Sequence, residues 1–265
     1  MTSEEQPTEQ NYDYSCKYYG SEETSITPTT DRCSMPDATS VRSMFHYCKQ
    51  ITTMDGTGWL LENVTNAYCM FFKDEKLKSI TGSDGWTLIS CFNTGNMFHG
   101  CIALTTIELS NLGLNKCVST HGMFQGCTAL KNITGMENWN LTKCETCTNM
   151  FYGCNALGSD DSIPNFNFKI GDNCKNMTNM FARCGSLTKI NAPDWDLSKL
   201  EKAHNMFGKC TSLTSITMKG SSLKSLINHD AMEKSSNFVT DFEDDVVYTC
   251  TGSVVGIKFI ITGSE

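Results

Sequence analysis

Seven Met-Phe pairs recur along the chain, at Met44-Phe45, Met70-Phe71, Met97-Phe98, Met123-Phe124, Met150-Phe151, Met180-Phe181 and Met206-Phe207. Their intervals are 26, 27, 26, 27, 30 and 26 residues. A period of this size constrains the architecture more than any other feature. One unit cannot bury its own apolar face, so neighbouring units must stack and share a core.

A single unit can be read from 91 to 116. Cys91, Thr94, Met97, Phe98, Cys101 and Leu104 fall three or four apart, which is the spacing of a helix face. Small residues three before the Met (Ala67, Thr94, Thr120, Cys147, Ala203) would let such a helix pack closely, and Gly100, Gly126 and Gly153 would suit its C-terminal turn. From Leu104 to Leu109 the pattern alternates, with Ile107 and Leu109 on one side and Thr106 and Glu108 on the other, as in a short strand. The next apolar pairs, Trp86/Leu88, Leu112/Leu114, Trp139/Leu141 and Trp195/Leu197, align tryptophans in one column. Such a column reads as core at the return edge, with a carbohydrate platform as the alternative. The expected fold is α/β: a leucine-rich-repeat-like solenoid of seven to eight strand-helix units. A parallel sheet would form one side, Met-Phe helices the other, and a C-terminal β-hairpin the cap.

Three segments follow from this reading: an acidic Tyr/Thr-rich arm at 1–33, the solenoid at 34–236, and a hairpin cap or attachment segment at 237–265. Residues 220–236 read as a degenerate eighth unit, because Met232 keeps the period while Glu233 and Ser236 replace Phe and Cys. Beyond it, 246–250 and 254–261 are two apolar runs flanking Thr251-Gly252-Ser253, a hairpin signal.

The formal net charge of −8 is concentrated at the ends. Residues 1–33 carry −5, 233–265 carry −4, and the middle carries +1. This distribution gives no basic stripe for nucleic acid. No run of 18 apolar residues exists, so no membrane insertion is expected. The polar, acidic start lacks the basic and apolar regions of a secretory leader. The expectation is either that export does not use that route or that a leader was removed beforehand.

Ten of the fifteen cysteines occupy two repeat columns, three after the Phe or six before the Met. Reduced core thiols are expected, since free cysteine behaves as a small buried hydrophobe; disulfides are the competing reading. Cys144-Glu145-Thr146-Cys147 is a single CxxC, short of the ligand set zinc needs. The five histidines form no triad, and no nucleophile elbow, phosphate loop or zincin motif is present. No enzyme, metal or cofactor is expected.

The pattern Met-Phe-x-Gly-Cys-x-x-Leu-x-x-Ile, with Thr148-Asn149 and Thr178-Asn179 before the Met, closely resembles the BspA-like repeat surface proteins. The same repeats occur in mycoplasma lipoproteins and gut-bacterial surface proteins. The resemblance covers about 200 of the 265 residues. It implies an adhesion or host-interaction module with no shared catalytic residues.

The function expected is therefore non-enzymatic recognition of a cell-surface protein or glycan, on an extracellular or virion surface. The alternative is a structural part of a larger assembly, such as a phage virion, mounted through its non-repeat ends; a homo-oligomer fits either. Outward strand positions are the expected contact face: Thr106, Glu108, Asn132, Thr134, Lys189, Asn191, Ser215 and Thr217. The interval of 30 marks an inserted loop at 158–166, whose Asp160, Asp161 and Phe166 are candidate contacts. Tyr12, Tyr14, Tyr18 and Tyr19 are candidates for attachment, tyrosine being favoured in interfaces.

Overall fold

A computed structural model of the 265-residue chain describes residues 18, 20–26, 38–159, 166–234, 242–255 and 258–261. The chain winds through about seven coils. One side of each coil is a short strand: β1 (Ser25–Ile26), β2 (Thr53–Asp55), β3 (Ser79–Thr81), β4 (Thr106–Glu108) and β5 (Asn132–Thr134). A second pair, β6 (Asn140–Leu141) and β7 (Lys169–Ile170), lies on the return side, and β8 (Lys189–Asn191) and β9 (Ser215–Lys219) resume the first. Pairing is parallel throughout this series: β1 with β2, β2 with β3, β4 with β5, β6 with β7 and β8 with β9. Each three-residue strand turns one side chain inward, Met54, Ile80, Ile107, Ile133 or Ile190, all buried. A strand this short gains its order from the stack rather than from its own length.

The Met-Phe stretches are not helices. The units pair a strand with a series of tight turns, so the solenoid is a β-solenoid rather than a stack of strand-helix units. Around Met97, N–H groups of Met97, His99 and Cys101 bond the carbonyls three residues back, at 3.1–3.2 Å. Between them, Thr94, Asn96, Phe98 and Gly100 donate to carbonyls of the following coil, Ser119, His121, Met123 and Gln125. The physical reason lies in two left-handed residues per coil. The residue before each Met (Ser43, Cys69, Asn96, Gly122, Asn149, Asn179, Asn205) has φ between 54° and 60°, and so does the second residue after each Phe (Tyr47, Lys73, Gly100, Gly126, Gly153, Arg183, Lys209), at 59° to 76°. Positive φ at those points closes turns and forbids a right-handed helix. Four rows of inter-coil bonds result, and all run the same way, from N–H in one coil to C=O in the next.

The core is one continuous column. Phe45, Phe71, Phe98, Phe124, Phe151, Phe181 and Phe207 are fully buried and stack in near-parallel pairs with centroids 5.1 to 6.0 Å apart, within the range of offset aromatic stacking. Tyr18 extends the ladder at one end, 5.1 Å from Phe45, and Phe259 closes the other edge-on at 6.5 Å from Phe207. Trp59, Trp86, Trp139 and Trp195 are buried beside it. The tryptophan column is core and not a carbohydrate platform: Trp86 and Trp139 donate their indole N–H to the Gly56 and Leu109 carbonyls.

The thirteen described cysteines are buried and free. In the column after the Phe, the thiols of Cys101, Cys127, Cys154, Cys184 and Cys210 donate to a Phe carbonyl one coil back, at 2.9–3.1 Å. Each thiol therefore faces main chain rather than the sulfur above it. Burial pushes the Cys91, Cys127 and Cys210 thiols up to about 12. Native protein is accordingly expected to leave these thirteen thiols unlabelled by a thiol reagent at pH 8, and unfolding in guanidinium to release them all. Labelling of several column thiols before unfolding would refute the packing role.

The C-terminal segment departs from the repeat. Residues 220–236 do not make an eighth coil: Gly220–Asn228 is an α-helix, α1, followed by β10 (Met232–Lys234). The run Gly220-Ser221-Ser222-Leu223-Lys224-Ser225-Leu226 lacks the left-handed residue and the Phe of a coil, and it buries Leu223 and Leu226 as a helix stripe instead. β11 (Val247–Val255) is antiparallel to both β9 and β12 (Lys258–Ile261). The hairpin turn is therefore not Thr251-Gly252-Ser253, which lies inside β11; Val255 pairs with Lys258. By pairing with β9, β11 covers the last strand edge of the solenoid.

Candidate functional site

The expected contact residues fall into separate groups. Thr106 is level with Asn132 and Glu108 with Thr134; Lys189 is level with Ser215 and Asn191 with Thr217. Thr106, Glu108, Thr134, Lys189 and Asn191 are exposed, while Asn132, Ser215 and Thr217 are half-buried. The two patches belong to different sheets, and Thr217 shares a 2.8 Å hydroxyl contact with Thr249 of the cap. No charged or nucleophilic groups converge among them. Phe166 is not a surface contact. It is fully buried, edge-on to Phe151 at 5.7 Å and Phe181 at 4.9 Å. Phe166 and Phe168 alternate inward, and Phe168 fills the tryptophan column between Trp139 and Trp195. Asp160 and Asp161 lie outside the described residues, as do Tyr12, Tyr14 and Tyr19. Tyr18 is part of the ring ladder, and its N–H donates to the Met44 carbonyl.

The side that sequence reasoning passed over is the turn face. Its segments are 40–50, 66–76, 93–103, 119–129, 146–156, 176–186 and 202–212. They hold seven bases, Arg42, Lys49, Lys73, Lys76, Arg183, Lys202 and Lys209, against Asp74 and Glu75, in a chain of net charge −8. Asp74 is fully buried, and its surroundings lift its carboxyl to about 8, burial being the main cause. It is neutral at pH 7, so Glu75 is the one acid that counters this face.

Side chains on the turn face stand in register, one coil apart. His46 meets Phe72 edge-on at 4.7 Å between centroids, and Phe72 stacks on His99 at 4.6 Å. Cations lie over neighbouring rings: Arg42 on Tyr68, Lys49 and Lys73 on Tyr47, Arg183 on Tyr152, at 5.5–5.7 Å. Burial, with Lys73 nearby, lowers both the His46 and His99 imidazoles, so they are neutral ring partners near pH 7. Beside Arg183 is a cavity of about 410 Å³ whose lining includes His99, Gln125, Tyr152 and Asn155. A volume of that size suits a small ligand or one segment of a larger one. The chemistry available is recognition by rings, amides and fixed positive charge. Each described thiol whose titration shifts is raised by its surroundings. No group of three or more potential metal ligands occurs among the described residues, and no helix among them is long and apolar enough to cross a membrane.

Fold and face together define a β-solenoid repeat protein with a continuous aromatic ladder and a basic turn face. The family model described as "Mycoplasma protein of unknown function, DUF285" matches residues 39–166 and 119–245. The chain belongs to that family. Among solved structures it is similar to a leucine-rich repeat protein from Bacteroides ovatus ATCC 8483, at 17% identity and a TM-score of 0.36, covering 73% of this chain and 51% of that one. The chain thus spans about half the length of that structure. No curated protein matches the sequence.

Proposed function

We propose that the protein is a non-enzymatic recognition module that binds a cell-surface protein or glycan, and that the turn face makes the contact. The observation that carries this reading is the excess of bases on that face, set in register with half-buried rings, in an otherwise acidic chain. The resemblance of the repeats to BspA-like surface proteins supports adhesion as the role. Positive charge in fixed register attracts anionic partners and makes association salt-dependent.

Binding of the labelled protein to cultured cells and to a glycan array tests it. A double variant, Lys73→Glu with Arg183→Glu, is expected to lose roughly tenfold or more in affinity. Lys189→Glu on the strand face should change binding less than about twofold, as a peripheral charge does. Equal losses from both faces would move the contact site, and no binding above control on any surface would remove the recognition reading.

A second reading has its own observation. Val246, Val247 and Val255 are exposed on the cap, which suits mounting of the solenoid in a larger assembly through its C-terminal end. Cap substitutions that abolish incorporation without affecting ligand binding would favour it.

A further inference from the structure

Gly100, Gly126 and Gly153 occupy one column of the turn face, at φ 76°, 75° and 75°. The backbone does not require glycine at this position. In the flanking coils the same position holds Tyr47, Lys73, Arg183 and Lys209, at φ 61°, 59°, 66° and 60°. What glycine changes is the surface. A Cβ built on Gly126 or Gly153 would meet only the glycine one coil back, at 3.9 Å. The Lys73 stem leans over Gly100, where an added Cβ would meet its Cγ at 3.0 Å, so the open trough is floored by the main chain of Gly126 and Gly153. With coils roughly 5 Å apart, Lys73 and Arg183 stand about 20 Å apart at its two ends. Gln125 and Tyr152 form one wall, Thr128 and Asn155 the other.

We propose that this trough binds an acidic saccharide, with a sugar carboxylate on the Arg183 guanidinium, which lies over the Tyr152 ring. The inference rests on the recognition reading of the same face and names its ligand class. Three observations select a saccharide. The segments 93–103, 119–129, 146–156 and 176–186 contain no Asp or Glu, so nothing in the trough repels a carboxylate, and guanidinium matches carboxylate in geometry as well as charge. The walls offer the Gln125 and Asn155 amides and the Thr128 and Tyr152 hydroxyls, groups that both donate and accept and so complement sugar hydroxyls. The floor cannot take an added peptide strand: the N–H groups of Gly100, Gly126 and Gly153 already donate to Gln125, Tyr152 and Ala182, which removes the main-chain ladder that strand addition needs.

Calorimetric titration of the full chain tests the proposal. The probes are a tetrasaccharide of alternating glucuronate and N-acetylglucosamine, the same tetrasaccharide with its carboxyls reduced, sialyllactose, maltotetraose and tetraglutamate. At least one of the two acidic sugars is expected to bind. Carboxyl reduction, or esterification for sialyllactose, should weaken binding roughly tenfold or more, as should Arg183→Gln, because each removes a charge-assisted hydrogen bond. Gly126→Lys copies Lys73 and Lys209 at the same φ and blocks the trough; it should abolish binding while unfolding stays cooperative. Should that variant fail to fold, Arg183→Gln still decides. No binding of either acidic sugar at millimolar concentration, equal binding of the neutralised forms, an unchanged Arg183→Gln, or tighter binding of tetraglutamate overturns the proposal. If the protein still binds cells through the turn face while both acidic sugars fail, the ligand class is wrong and the recognition reading survives.

Discussion

Asp74→Asn is expected to stabilise the protein at pH 9 and to leave it nearly unchanged at pH 4. Asp74 stands in the column that Cys48, Cys101, Cys127, Cys154, Cys184 and Cys210 otherwise occupy, fully buried. One carboxyl oxygen accepts the Cys48 N–H at 2.8 Å, and the other is buried without a hydrogen-bond partner. Burial holds its proton on to about pH 8 in the fold, against about 3.9 in an unfolded chain. Below pH 4 both states are protonated. Between pH 4 and 8 the unfolded chain ionises while the folded one does not, so stability is lost as pH rises across that window and is flat above it. The full loss is on the order of 5 kcal/mol. Chemical denaturation of both proteins from pH 4 to 9 measures it. The wild type should lose stability relative to the variant as pH rises, and parallel curves would show that the carboxylate is already ionised in the fold.

Phe124→Ala should cost about 3–5 kcal/mol, the range for truncating a large core aromatic, and it should also divide the array. Phe124 stacks on Phe98 at 5.2 Å and Phe151 at 5.8 Å and touches Trp139 at 6.3 Å. In a solenoid each coil is held only by its neighbours, so a cavity in the central coil weakens two interfaces at once. Urea unfolding should pass from one transition toward two, with the two halves separating. Phe45→Ala, at the end of the ladder beside Tyr18, should lower the midpoint without splitting the transition. A single unsplit transition with a shift below about 1 kcal/mol in Phe124→Ala would show that the ladder does not carry the coupling.

These two residues also show what the sequence made legible. The Met-Phe period was enough to give stacking, a parallel sheet and a buried cysteine column, because each follows from repetition alone. The error over helices came from reading spacing without backbone conformation. Consecutive turns closed by bonds three residues back return the chain inward every three or four residues, just as a helix does, so Cys91, Thr94, Met97, Cys101 and Leu104 fit both. The discriminating signal was present in the residue before each Met. Asn stands there in four coils and Gly in one, and both tolerate left-handed φ. The trough was missed for the same reason: Gly100, Gly126 and Gly153 read as the end of a helix rather than as a gap in a row of long side chains. Phe166 was misplaced because an insertion suggests an exposed loop, although its alternation with Phe168 matched the inward positions of a strand.

The four central rows of the turn face share one direction, flanked by bonds that run the other way, from the N–H groups of Phe92, Val118, Glu145, Ala156 and Ser186 to the coil before. Each linking peptide, such as Met97–Phe98, accepts from the coil before through its C=O and donates to the coil after through its N–H. Peptide dipoles aligned head to tail add up, as they do along a helix. Four such rows run side by side through seven coils and end in the N–H groups of Ala203, Asn205, Phe207 and Lys209. That end acquires partial positive charge, and the cap beyond it carries Glu243, Asp244 and Asp245, all exposed. Gain or loss of whole coils preserves the rows, so the array can change length without changing its polarity.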